Sequence, residues 1–149
     1  MNKEVIYLGA DHAGFSLKEK IKKSLDKSKV KYKDIGAFSL NLNDDFPDYA
    51  LKLAKQVSKN KNSRGILVCG TGTGMVIAAN KIKGIRAAVG YDNYSVIMGR
   101  KDNNTNILCL RGRSFSDKKN LELVNLWLKS KFSNEARHKR RIDKIEKIN

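Results

Sequence analysis

Apolar residues in this chain come alternately as short runs and as spaced stripes. Val5 to Leu8 and Ile66 to Cys69 are unbroken apolar runs of strand length, and Val30 to Ile35 alternates. Arg86 to Gly90 and Ile107 to Leu110 complete five predicted strands. Between them lie helical stripes. Leu17, Ile21 and Leu25 recur at spacing four with lysines on the other face, and Leu51, Ala54 and Val57 follow Pro47, a residue suited to a helix's first turn. Further helices are predicted from Met75 to about Lys81, from Asp92 to Gly99, and along Leu121, Val124, Leu128 and Phe132. The loop 37–46 is polar and acidic. In the tail from Glu135 to Ile148, Ile142, Ile145 and Ile148 form a narrow stripe at spacing three that needs a surface to pack on. Strand and helix alternating in this way predict a doubly wound α/β fold with a five-stranded parallel sheet, whose ligand site lies beyond the carboxyl ends of the strands.

The most informative junction is GILVCGTGTGMVIAANK, Gly65 to Lys81. A buried strand stops at Cys69, then Gly70, Gly72 and Gly74 alternate with Thr71 and Thr73, and a helix follows. Glycines let the backbone approach a ligand closely, and a helix start offers free N–H donors with partial positive charge. The turn therefore suits a group that carries or develops negative charge. Two nucleotide motifs fail here. A dinucleotide fingerprint built on Gly70 and Gly72 requires glycine where Met75 stands, and a Walker loop requires an absent Gly-Lys-Ser/Thr. Only Asp92 imitates the ribose-binding acid of the former. Without a ligand, the same glycines make a tight strand-to-helix turn. Cys69 sharpens the choice, because thiols beside the donors of a helix start give up their proton readily; the alternative is a small buried hydrophobe.

Composition narrows the class further. A chain of 149 residues is expected to form one domain, residues 1–149, with a helical tail from about residue 134. No apolar run is long enough to span a membrane, and Glu4 and Asp11 bracket too short an apolar stretch for a signal peptide. A soluble, cytoplasmic protein with no membrane partner is expected. The two cysteines, Cys69 and Cys109, lie in apolar runs outside any C-x-x-C spacing, so neither a disulfide nor a zinc site is expected. A net charge of +16 raises nucleic acid as a partner. The lysines, however, are spread opposite the apolar stripes and do not interleave with aromatic residues. Most of the charge is read as solvated surface that favours an anionic substrate.

The strand-end rule gathers Asp11 and His12, Cys69 to Gly74, Asp92, and Arg111 to Arg113 on one rim. An Asp-His pair at a strand end is either a helix cap beside a surface side chain or a catalytic pair, and its place opposite the glycine turn favours the second. In the tail, Arg137 and Arg141 are four apart and His138 and Arg141 three apart. The three can share one helix face and converge on a phosphate, the alternative being a solvated charged helix. The isoleucine stripe points to packing across a subunit boundary.

The segments GADHAGFSLKE, DDFPDYA, CGTGTGMVIAANKIKGIRAA, NTNILCLRGR and NEARHKRRID run nearly end to end. Together they resemble the ribose-5-phosphate isomerase B family, which includes the galactose-6-phosphate isomerase subunits. The resemblance implies a Rossmann-like sheet, a phosphorylated sugar substrate, and no metal or nucleotide cofactor. It also implies a homodimer or dimer of dimers in which each active site is completed by the neighbouring subunit. The implied reaction is the aldose-ketose step of the pentose phosphate pathway linking ribose 5-phosphate and ribulose 5-phosphate. Moving a proton between C2 and C1 through an enediolate needs one base and donors for an oxyanion. By resemblance, Cys69 is that base, Thr71 supports it, and the backbone of Gly70, Thr71, Gly72, Thr73 and Gly74 supplies the donors. Asp11 and His12 contact sugar hydroxyls or the ring oxygen, Asn103 holds the enediolate end, and Arg113, Arg137, His138 and Arg141 bind phosphate, some from the partner chain. Some members use a glutamate at the position of Met75; this chain keeps the cysteine.

Two residues depart from the family pattern. The family usually has a histidine before Asn103, the acid that opens the furanose ring, where this chain has Asp102; a carboxylate in ordinary surroundings is ionised at neutral pH and a poor acid. Phe46 replaces the usual tyrosine before Pro47. Ring opening is therefore expected to be slower, or to pass to His12 or Asp11. The alternatives are an isomerase of a six-carbon sugar phosphate such as allose or galactose 6-phosphate, and a non-catalytic sugar-phosphate-binding relative or basic nucleic-acid binder.

Overall fold

Among the described residues the apolar runs form one all-parallel sheet: β1 (Val5–Ala10), β2 (Tyr32–Asp34), β3 (Ser63–Cys69), β4 (Ala87–Val89) and β5 (Ile107–Arg111), in the order β2-β1-β3-β5-β4. Six helices join and cover these strands: α1 (Phe15–Lys27), α2 (Phe46–Lys59), α3 (Thr73–Ala79), α4 (Asn93–Asn103), α5 (Asp117–Lys129) and α6 (Ala136–Glu146). The computed structural model describes residues 3–148, so Met1, Asn2 and Asn149 of the expected domain lie outside the described residues. No helix among those described is long and apolar enough to cross a membrane.

Three elements differ from the sequence expectation. The Val30 to Ile35 run pairs only over Tyr32–Asp34, because it is an edge strand bonded to β1 alone. Helix α3 begins at Thr73, inside the glycine turn. Helix α4 runs past Gly99 to Asn103 and stops at Asn104, which takes φ +47. One glycine costs a helix only about 1 kcal/mol against alanine, too little to end it.

A parallel sheet is buried on both faces, and the alternation along each strand sorts the core into two layers. Ile6, Leu8, Ile66, Val68, Leu108 and Leu110 pack with α1, α4 and α5 through Leu17, Ile21, Val96, Leu123 and Trp127. Tyr7, Leu67, Cys69, Ile107 and Cys109 pack with α2 and α3 through Leu53, Val57, Met75 and Ala79. Cys109 is fully buried, and burial first, with the nearby Cys69 adding, pushes its thiol pKa well up; it is a packing residue.

The topology leaves a crevice at the carboxyl ends of the strands. β1 leads through α1 to β2 on one side, whereas β3 leads through α3, on the opposite face, to the other half of the sheet. The carboxyl ends of β1 and β3 therefore flank a switch point, where doubly wound sheets hold their ligands. Gly14 lets the chain entering α1 press against β3, for a Cβ there would lie 2.2 Å from the Val68 carbonyl oxygen.

A buried ion pair ties down the loop that borders this crevice. The Lys18 ammonium, fully buried, bonds both Asp34 carboxylate oxygens at 2.7 Å and the Ala37 carbonyl at 2.6 Å. Burial pushes the Asp34 pKa up, but bonds from Lys18, the Gly36 N–H and Lys22 outweigh it and hold the carboxyl below its usual range. Its contribution to stability is thus complete above the ordinary value of 3.8 and is lost as pH falls through the depressed one. Lys18→Ala should cost about 3 kcal/mol, the low end for breaking a buried pair because Lys22 remains 2.9 Å from Asp34. Urea unfolding at pH 7 would show this as a lower midpoint at unchanged m-value, and the gap from wild type should shrink in acid as Asp34 protonates.

Candidate active site

Cys69 ends β3, and the strand's alternation turns its sulfur into the layer of α2 and α3. Gly72 then takes φ +80, a left-handed conformation that strains any other residue, and directs its N–H to Cys69 Sγ at 3.1 Å just before α3 begins. The sulfur thus meets the positive end of an amide dipole. Cys69 is only 5% exposed, yet it lines a cavity of about 220 Å³ at the switch point, open to solvent, together with Asp11, His12, Phe46, Gly70, Thr71, Gly74 and Arg113.

The wall opposite comes from β1. Asp11 Oδ1 accepts the Gly14 N–H at 3.1 Å, and burial raises the Asp11 pKa despite that bond. His12 Nδ1 stands 2.7 Å from Asp44 Oδ1, which also accepts the His12 backbone N–H at 3.0 Å. Burial works to raise the Asp44 pKa, but the His12 bonds and one from Tyr49 pull it below the usual carboxylate range. An ionised Asp44 makes Nδ1 the donor, which leaves Nε2 free to serve a substrate. Sequence reasoning missed Asp44, whose only signal is its place at the head of the quoted DDFPDYA segment. Asp11, His12 and Asp44 also bring potential metal-ligating atoms within 4.8 Å of one another, with His12 Nδ1 and Asp44 Oδ1 bonded to each other.

The remaining cavity residues are held by the backbone. Thr71 and Thr73 are exposed, and Thr71 Oγ1 accepts the Thr73 N–H at 3.2 Å, so the hydroxyl organises the turn. Beyond β5, the Gly112 N–H bonds the Cys69 carbonyl at 2.7 Å and the Arg113 N–H bonds the Gly70 carbonyl at 3.1 Å. These bonds fix Arg113 over the glycine turn. Asp92 reaches the rim as expected but serves as the cap of α4, its Oδ1 accepting the Ser95 N–H at 2.7 Å, and Arg111 stacks on Phe115 at 4.4 Å.

The other expected site residues lie at the far end of the sheet. Helix α4 starts at the carboxyl rim and runs back, so Asp102 and Asn103 precede the start of β5. There α6 packs on α4. His138 is buried, with Nδ1 2.6 Å from Ser133 Oγ and Nε2 3.5 Å from Asp102 Oδ1. Arg137 and Arg141 are exposed, Arg137 Nε bonding Glu135 Oε2 at 2.8 Å. Of the three residues expected to share one helix face, His138 is buried and the two arginines are exposed. His138 turns inward with Ile142, one helical turn on, while both arginines face solvent. One chain thus carries two half-sets at opposite ends: Asp11, His12, Cys69 to Gly74 and Arg113 at one, and Asp102, Asn103, Arg137, His138 and Arg141 at the other.

Known proteins resemble this chain in sequence and in fold. The probable ribose-5-phosphate isomerase B of Mycoplasma pneumoniae is 41% identical over 140 residues, covering 94% of this chain and 91% of that protein. The crystal structure of ribose-5-phosphate isomerase B from Mycoplasma genitalium, with bound ribulose 5-phosphate, superposes with a TM-score of 0.93 at 39% identity, covering 98% of this chain and 96% of the other. The enzyme of the same name from Clostridium thermocellum gives 0.92 at 42% identity, covering 97% and 96%. The family model described as Ribose/Galactose Isomerase matches residues 6–145, nearly every element from β1 to α6, and the chain belongs to that family.

Proposed function

We propose that the protein is a ribose-5-phosphate isomerase, interconverting ribose 5-phosphate and ribulose 5-phosphate through an enediolate. The observation that carries this reading is the Cys69 sulfur, lining the switch-point cavity under the Gly72 N–H, with Met75 offering no carboxylate as a rival base. In the open-chain aldose, the Cys69 thiolate removes the proton on C2, and the electron pair flows through the C1–C2 bond to the C1 oxygen. Main-chain N–H groups of the glycine turn stabilise that oxyanion. Transfer of the O2 proton to O1 and return of the first proton to C1 completes the ketose. Nothing is oxidised overall, so no external oxidant or reductant is consumed. His12, oriented by Asp44, presents the Nε2 lone pair to the sugar, where in place of Asp102 it takes the anomeric hydroxyl proton and passes it to the ring oxygen as the bond from C1 to that oxygen breaks, while Arg113 meets the phosphate end.

The two half-sets cannot meet within one chain. A homodimer that sets the far end of one copy against the rim of another brings Asn103, Arg137, His138 and Arg141 to Cys69, and a dimer of dimers repeats the arrangement. The exposure of Ile145 (52%) and Ile148 (74%) beside this half-set supports a packing surface there. Each chain acts as one catalytic domain, in the cytoplasm. Initial rates with ribose 5-phosphate, allose 6-phosphate and galactose 6-phosphate test the substrate. The pentose should lead by at least about 10-fold in kcat/KM, and a lead for either hexose would overturn the assignment.

A further inference from the structure

A larger cavity, about 490 Å³, opens at the amino ends of the strands, away from Cys69. Its volume falls in the range of small-molecule sites, about 300 to 1,000 Å³. Its charged lining is four cations, Lys61, Arg64, Arg86 and Arg100, against two carboxylates, Glu4 and Glu146. The carboxylates are already taken. Glu4 holds Arg64 through two bonds of 2.5 and 2.8 Å, and Glu146 holds Arg86 at 2.5 Å. Among the described residues no carboxylate comes within ion-pair distance of Arg100. Its Nη1 bonds the Asn104 side-chain oxygen at 2.9 Å and the Thr105 carbonyl at 2.5 Å. Those neutral acceptors satisfy hydrogen bonds without cancelling charge. Burial, then repulsion from Arg64, with Glu4 opposing and Arg86 adding, pull the Arg100 pKa down to about 10. A half-buried guanidinium is ordinarily matched by an anion, and its planar fork fits phosphate oxygens.

We propose that this cavity, lined by none of the residues assigned to isomerisation, is a second binding site, which takes a small phosphate monoester with its phosphate on Arg100 and its uncharged body along the wall of Ser58, Asn60 and Ser63. The body follows from size, because a bare phosphate would leave most of the space empty.

The test is an NMR titration of isotope-labelled protein with glycerol 3-phosphate at fixed ionic strength, reading the arginine Nε–H signals and the Gly70 to Gly74 amides separately. Arg100 should shift along a saturable curve. Glu4→Gln, which removes one carboxylate from the cavity, should tighten that curve about 3- to 10-fold, and Arg100→Gln should weaken binding at this end at least about 10-fold while the glycine-turn response stays. The Glu4→Gln comparison decides the matter even where the Arg100 variant fails to fold. An Arg100 response matched by equal chloride, or confined to the glycine turn, would overturn the site. Inorganic phosphate binding as tightly as the ester would overturn the monoester.

Discussion

Cys69→Ala should leave a folded protein that binds sugar phosphate and barely converts it, with kcat down by about 10³-fold, within the 10² to 10⁴ a positioned base supplies. The effect should fall on kcat and not on KM. In the proposed mechanism the sulfur meets the substrate through the proton it removes, whereas Arg113 and the main-chain donors of the glycine turn, which line the same cavity, are left unchanged by the substitution. Because the side chain is small and Gly72 keeps its φ, the fold should lose little. Solvent hydrogen exchange at C2, followed by NMR, should fall in parallel, since it reports proton removal before any later step. A variant that converts ribose 5-phosphate at the wild-type rate removes Cys69 as the base. One that keeps C2 exchange but loses turnover moves the cysteine's role to another step.

What could be read from the sequence was what lies close together along it. Cys69, Gly70, Gly72 and Gly74 stand in a single strand-to-helix junction, so the cradle for an anion was visible before any fold was known. Asp44 was not. It reaches His12 across 32 residues from a loop with no periodicity, and only the folded chain brings them to 2.7 Å. Lys18 looked like one more solvated lysine of α1, yet it sits beside Leu17 on the edge of the apolar stripe and is fully buried against Asp34. In α6, spacing of three and four allowed Arg137, His138 and Arg141 to share a face. Folding sets the buried His138 ring against Ser133 and Asp102 and leaves both arginines exposed. Local pattern fixes which residues are candidates, whereas burial and long-range bonds fix which way they point.

The separation of the half-sets leads to a second large effect, restoration of activity by mixing two damaged proteins. With Arg141 on the phosphate as proposed, Arg141→Ala should cost about 2 kcal/mol, or ~30-fold in kcat/KM, while Cys69→Ala should be nearly inactive. In a mixed dimer, if each site pairs Cys69 of one copy with Arg141 of the other, one site collects both lesions and the other is intact. Random assortment of equal amounts makes half the dimers mixed, so unfolding and refolding the two together should restore about a quarter of wild-type activity. If each site were built within one chain, every site would keep a lesion and mixing would gain nothing. The control is Cys69→Ala mixed with Arg113→Ala. Both residues line one cavity of one chain, so each site of a mixed dimer keeps one of the two lesions, and activity should stay at the average of the unmixed proteins. Recovery in the Arg141 mixture with none in the Arg113 mixture would assign the arginine to the neighbouring subunit; equal behaviour of the two mixtures would place both arginines in the same relation to Cys69 and end the shared-site reading.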